Sequence, residues 1–119
     1  MILADTSVWV DFVRYGFPMM DELLSKNLIC AHELVRVELT LWTPPNRDIF
    51  LTQYCTLEAI SSIYPDQVCN FVNLNKFYGR GCGAVDMSLL ASCAVHGAKL
   101  WTLDKRLNEL AKSLGLAFP

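Results

Sequence analysis

Residues 1–12 read MILADTSVWVDF, and the change of period inside this stretch decides the fold. Ile2 to Ala4 is a short apolar run without alternation, the pattern of a strand covered on both faces. Beyond it, Val8, Trp9, Phe12 and Val13 recur at helical intervals. Asp5 stands at the join, followed at once by Thr6 and Ser7. The spacing predicts a helix from Ser7 to about Tyr15 with Thr6 or Ser7 as its cap. Asp5 is then left without a local duty, at the carboxyl end of a buried strand. In open parallel sheets that is where sites form.

The same alternation continues along the chain. Residues 19–26 (MMDELLSK) form a second helix after the break at Gly16 and Pro18, and residues 27–31 (NLICA) a second strand. The segment HELVRVELTLW (32–42) is helical, with Leu34, Val37 and Leu41 on one face. Pro44 and Pro45 stop it, and NRDIFLTQY starts another helix in a position proline favours. TLEAI (56–60) is a third short strand, and DQVCNFVNLNKFYG a helix with Val68, Phe71, Val72, Leu74 and Phe77 as apolar positions. After the glycine-rich loop GRGCG comes a helix closed by Gly97, then the strand KLWTLD, the helix KRLNELAKSLG and a last strand, LAF. Strands alternating with helices indicate an α/β fold with a mostly parallel sheet, in one domain spanning residues 1–119.

Composition narrows the function classes. Of the residues, 53% are hydrophobic and 18% charged, enough for a sizeable core. No apolar stretch reaches the ~18 residues needed to cross a bilayer, and a basic leader with a cleavage pattern is missing, so the expected setting is soluble and cytoplasmic, with no membrane partner. Five cysteines, an odd number without a C-x-x-C pair, read as reduced, packed thiols and not as a zinc site. Residues 1–69 carry four Lys/Arg against nine Asp/Glu, a net of −5, and residues 70–119 carry six against three, a net of +3. The overall −2 argues against a simple nucleic-acid coat, yet Arg80 lies in the glycine loop and Lys105 and Arg106 follow Asp104, where cations offset acids and attract phosphates.

Four acids occupy telling positions. Asp5 and Asp104 each end a strand. Glu38 shares the expected apolar stripe of its helix, and Asp86 lies in the first turn after the glycine loop. Each has a plainer use as well. Asp104 suits an N-cap, Asp86 the helix dipole, and Glu38 a pairing with Arg36. If all four met within about 5 Å, each like-charged pair would cost ~3 kcal/mol at an effective dielectric near 20. Protonation or a shared cation relieves that, and an all-oxygen donor set suits Mg²⁺ or Mn²⁺.

The stretches ILADTSVWVDF, AHELVRVEL, GRGCGAVDMSLLASCAVHGAKLWTLDKRL and LAKSLG, spread over almost the whole chain, resemble the PIN-domain ribonucleases, and within them the VapC toxins of toxin–antitoxin modules. The resemblance implies a five-stranded parallel sheet between helices in three layers and, commonly, a homodimer. It implies Mg²⁺- or Mn²⁺-dependent endonuclease action on RNA and inhibition by a VapB-type antitoxin. It places the acidic site at Asp5, Glu38, Asp86 and Asp104; the hydroxyls of Thr6, Ser7 and Thr102, beside the strand ends, are expected to support it. One departure is LTLWTPP after Glu38, where relatives often carry small residues and glycine. Apolar clusters such as FVRYGFPMM and IFLTQY fit a dimer or antitoxin face.

Other α/β readings fail at particular residues. A receiver domain needs an acceptor Asp after its third strand, where TLEAISS has none, and a Lys after its fifth. A haloacid-dehalogenase-type phosphatase needs D-x-D-x-T, and position 7 is Ser. A catalytically inactive PIN-fold binding module is the remaining alternative. His32 and His96 sit at helix ends and read as structural, and Trp9, Trp42 and Trp101 as core or dimer contacts.

Overall fold

A computed structural model describes residues 1–119. The order is β1 (Ile2–Ala4), α1 (Thr6–Tyr15), α2 (Pro18–Ser25), β2 (Ile29–Cys30), α3 (Glu33–Thr40), α4 (Arg47–Tyr54), α5 (Pro65–Asn75), α6 (Ala84–His96), β3 (Lys99–Trp101) and α7 (Lys105–Ser113). The three strands form one parallel sheet in the order β2-β1-β3. β1 is central, with Leu3 opposite Cys30 on one side and Leu100 on the other, so all three of its residues are buried. That position is why the opening run is apolar throughout.

The sheet has three strands, not the five expected. TLEAI and LAF do lie at its two edges, but each pairs at one residue only, Ala59 with Ala31 and Ala117 with Leu100. Local bonding explains the shortening. Thr56 and Leu57 still donate back to Gln53 and Tyr54 at the end of α4, leaving Glu58 to Ile60 free to extend. At the other edge Leu116 donates back to Ala111 to finish α7, and Pro119 has no N–H to offer.

Helix α3 also corrects the expected face. Val35 and Leu39 are the residues it buries, while Val37 is 55% and Leu41 80% exposed. Glu38 therefore flanks the buried stripe instead of sharing it. Leu74, expected on the apolar face of α5, is 82% exposed. The chain after Pro45 passes through Asn46 in the left-handed region before α4 begins, so neither proline opens that helix. α6 ends as expected, at Gly97 with φ 70°.

One cluster of 24 buried residues forms the core, centred on Leu3, Leu90 and Leu100. Trp9 and Trp101 belong to it. Trp9 packs edge-on against Phe12, Phe50 and Tyr54, and Trp101 against Phe17. Much of FVRYGFPMM and IFLTQY is likewise packed inward, through Phe12, Phe17, Met20, Phe50 and Tyr54. All five cysteines are free, but Cys55 and Cys69 are exposed, which corrects the expectation of packed thiols throughout. No helix is long and apolar enough to cross a membrane.

Candidate active site

Asp5 ends β1 and is 6% exposed. Its carboxylate is held from three directions. The Ser7 hydroxyl donates to Oδ1 at 2.5 Å, the Val8 N–H donates to the same oxygen at 3.2 Å, and the Thr102 hydroxyl donates to Oδ2. The Val8 bond makes Asp5 itself the N-cap of α1, which starts at Thr6. The expected cap by Thr6 or Ser7 is thus overturned, because Ser7 points back at the carboxylate and Thr6 turns elsewhere. Burial pushes the Asp5 pKa above the ordinary 3.8, against the three donors, and the charge of Asp86 pushes the same way.

Thr6 donates its hydroxyl to Glu38 Oε1 at 2.5 Å, linking the start of α1 to α3. Thr102 accepts the Asp104 N–H at 3.0 Å, and Ser7 accepts the Leu103 N–H at 3.2 Å, so the turn between β3 and α7 is built on the Asp5 site. Asp104 caps α7, with Oδ1 accepting from Arg106 at 2.8 Å and Leu107 at 3.2 Å. Asp86 accepts the Gly83 N–H at 3.3 Å through Oδ2. Burial raises the pKa of the Cys82 thiol, Asp86 and Asp104 raise it further and Arg106 and Arg80 oppose them, so four charged groups act on one partly buried sulfur. Arg106 lies across the glycine loop. A Cβ on Gly81 would come within 2.6 Å of its Nη1.

Ser7 and Thr102 bond the Asp5 carboxylate, Thr102 also accepts the Asp104 N–H, and Asp86 acts on Asp5 by charge. Glu38 bonds Thr6, and Thr6 bonds none of the other three acids. No three acidic, Cys or His side chains stand close enough together to hold a metal ion. The donor chemistry nonetheless suits a hard cation. It is all oxygen, Asp5 is desolvated and opposed by Asp86, and Asp104 Oδ2 and Asp86 Oδ1 take no protein hydrogen bond. Sequence reasoning overlooked the Arg106–Gly81 contact and the full burial of His32, which it read only as a structural helix-end residue. The Arg106–Gly81 contact was signalled only by the glycine itself. His32 is fully buried and caps α3, a role signalled by its place between strand and helix.

No protein-family model matches the chain. Ribonuclease VapC32 of Mycobacterium tuberculosis, strain CDC 1551 / Oshkosh, is 41% identical over 118 residues, which is 98% of this chain and 95% of the relative. The same figures hold for Ribonuclease VapC32 of strain ATCC 25618 / H37Rv. This chain belongs to the VapC ribonuclease family. The crystal structure of PAE2754 from Pyrobaculum aerophilum has the same fold, with a TM-score of 0.64, 16% identity, and coverage of 96% of this chain and 88% of that one. The Asp5 cluster lies at the carboxyl ends of β1 and β3, the side of an open parallel sheet on which sites form.

Proposed function

We propose that this VapC-family chain is a divalent-metal-dependent endoribonuclease and the toxin of a toxin–antitoxin pair, acting in the cytoplasm. The observation that carries the reading is Asp5, a buried carboxylate at a strand end whose two oxygens are oriented by Ser7, Val8 and Thr102. A carboxylate costs free energy in such a place unless a cation or a proton joins it. Asp5, Asp86 and Asp104 hold Mg²⁺ or Mn²⁺ in this reading. An ion held there would lower the pKa of water and offset phosphate charge. Glu38, fixed by Thr6 through Oε1, uses Oε2 to orient the attacking water and take its proton. The water oxygen would bond to phosphorus as the P–O3′ bond breaks and O3′ takes a proton from solvent, leaving a 5′-phosphate and a 3′-hydroxyl. Arg80, Lys105 and Arg106, all exposed, guide the RNA backbone toward the acids.

The second reading, a PIN-fold binding module without catalysis, draws on two facts. Asp104 is already employed as a helix cap, and no three acids are gathered. Incubating the purified chain with structured RNAs and Mg²⁺ or Mn²⁺ separates the two. Cleavage that stops with EDTA and with Asp5→Asn supports the enzyme, and cleavage that persists in either case refutes the metal mechanism.

A homodimer and a VapB-type antitoxin complete the proposal. Val37 and Leu41 present an apolar edge at the end of α3, and Leu74 near the end of α5 with Tyr78 after it present another, each more than half exposed. Sedimentation that shows only a monomer, alone and with a co-expressed antitoxin, removes both partners.

A further inference from the structure

Glu38 and Asp86 stand on different helices, and whatever joins α3 to α6 sets their separation. One side-chain hydrogen bond does so, from His32 at the N-cap of α3 to Ser92 on α6, with Nε2 3.0 Å from Oγ. The partners determine the state of the ring. Nδ1 accepts the Leu34 N–H at 3.1 Å, so it carries no proton. Ser92 donates its own proton to the Ser88 carbonyl at 2.8 Å, so its oxygen is an acceptor and Nε2 carries the hydrogen. Ser62 Oγ lies 3.4 Å from the same nitrogen. Tyr54 fixes the backbone, its hydroxyl accepting the His32 N–H at 3.1 Å. The side chain is fully buried, in the neutral Nε2–H form.

We propose that His32 is a positioning residue for the acid cleft: neutral, it braces α3 against α6 and holds Glu38 and Asp86 at their working separation, and a second ring proton releases the brace. The proposal rests on the nuclease reading of those two acids. A protonated Nδ1 faces the Leu34 N–H across 3.1 Å, donor against donor. It also sets a full positive charge at the positive end of the α3 dipole. The Nε2–H bond to Ser92 survives the second proton; what is lost is the cap, so the ring no longer fixes the first turn of α3 relative to α6. Burial already moves the ring's pKa below the ordinary 6.5. The titratable groups around it act in both directions. Glu33 on α3 favours the proton, His96 on α6 opposes it, and Tyr54 comes in from α4. Arg36 and Cys55 border the cavity of about 140 Å³ that His32 lines. The enzyme is thereby set to work near neutrality and to lose its cleft in acid.

The test joins NMR to kinetics on the full chain. In a titration from about pH 8 to about pH 5, the Glu38 and Asp86 amides should shift together with the His32 ring, at one midpoint below the free-histidine value. Ser92→Ala cuts the tie and keeps the cap, so in it Leu34 should still follow His32 while Asp86 should not. RNA cleavage by Ser92→Ala at neutral pH should fall about fivefold or more in kcat with KM unchanged. If Ser92→Ala does not fold, His32→Asn replaces it, since Asn keeps a cap acceptor but is too short to reach Ser92. Wild-type shifts confined to residues 31–34, or a kcat for the variant equal to wild type, overturn the brace. A wild-type protein that cleaves no RNA refutes the nuclease reading instead, and the NMR titration then decides the brace by itself.

Discussion

Thr102 donates its hydroxyl proton to Asp5, tying together the ends of two neighbouring strands that lie 97 residues apart in the chain. Both residues are buried. The same oxygen accepts the Asp104 N–H, so one hydroxyl serves the buried acid and the start of α7 at once. Asp5 in turn is both cap and site residue. It closes α1 with one oxygen while the other faces Thr102.

Replacing Thr102 with Val keeps the volume and removes both bonds. A hydrogen bond to a charged acceptor contributes about 1.5–3 kcal/mol, so denaturant unfolding at neutral pH should show a loss on that order. Ser7→Ala should give a smaller loss, because Val8 still donates to the same Asp5 oxygen. An unchanged urea midpoint for Thr102→Val would contradict the role given to this hydroxyl.

The Asp86→Asn variant reads the repulsion between the acids. Burial, and then Asp86, raise the folded pKa of Asp5 above 3.8. A group raised in this way contributes stability that is fully present below pH 3.8 and lost as pH rises through the folded value. Removing the Asp86 charge lessens the elevation. In EDTA the variant should therefore gain on the wild type as pH climbs from about 4 to about 7. Added Mg²⁺ should stabilise it less than it stabilises the wild type. If Asp86 serves only the α6 N-terminus, the variant should lose a few tenths of a kcal/mol with no metal dependence in either protein.

Gly81→Ala tests the packing of Arg106. Gly81 has φ 80°, where a Cβ costs roughly 1–2 kcal/mol, and that Cβ also meets the guanidinium. The single variant should lose more than the backbone term. Combined with Arg106→Ala, only the backbone term should remain. Strict additivity in this double-mutant cycle would show that Arg106 does not rest on the loop.

Neutralising Arg80, Lys105 and Arg106 together, in an Asp5→Asn background that blocks cleavage, should weaken RNA binding. Each phosphate contact contributes a salt slope of about 0.7 on single strands, so the triple change should lower the slope by up to about 2. Fluorescence anisotropy across a salt series measures it, and an unaltered slope would free these residues from that role.

Removing the metal gives the last check. Activity in Mg²⁺ or Mn²⁺ should vanish with EDTA and return on adding the ion back. Under the same conditions Asp104→Ala should lose activity and about 1 kcal/mol of stability, because it deletes a helix cap as well as a ligand.

What the chain determined by itself is local in origin. The shift of period at Asp5, the left-handed stop at Gly97 and the alternation of short apolar runs with amphipathic segments place β1, β2, β3 and the helices, because period and turn chemistry act over a few residues. The placement of Asp5 and Asp104 after strands and of Asp86 in a first turn was legible for the same reason, whereas the side of α3 that carries Glu38 was not. Tertiary structure decided the rest. Helix α3 offers two apolar stripes, Leu34–Val37–Leu41 and Val35–Leu39, and only packing against the core selected the second. The ends of α4 and α7 hold their carbonyls a little too long, and so reduce two expected strands to single bridges. His32 is an ordinary helix-start histidine until α6 brings Ser92 to its far nitrogen. Such choices turn on partners distant in sequence, and a hydrogen bond or a buried face exists only when both of its sides do.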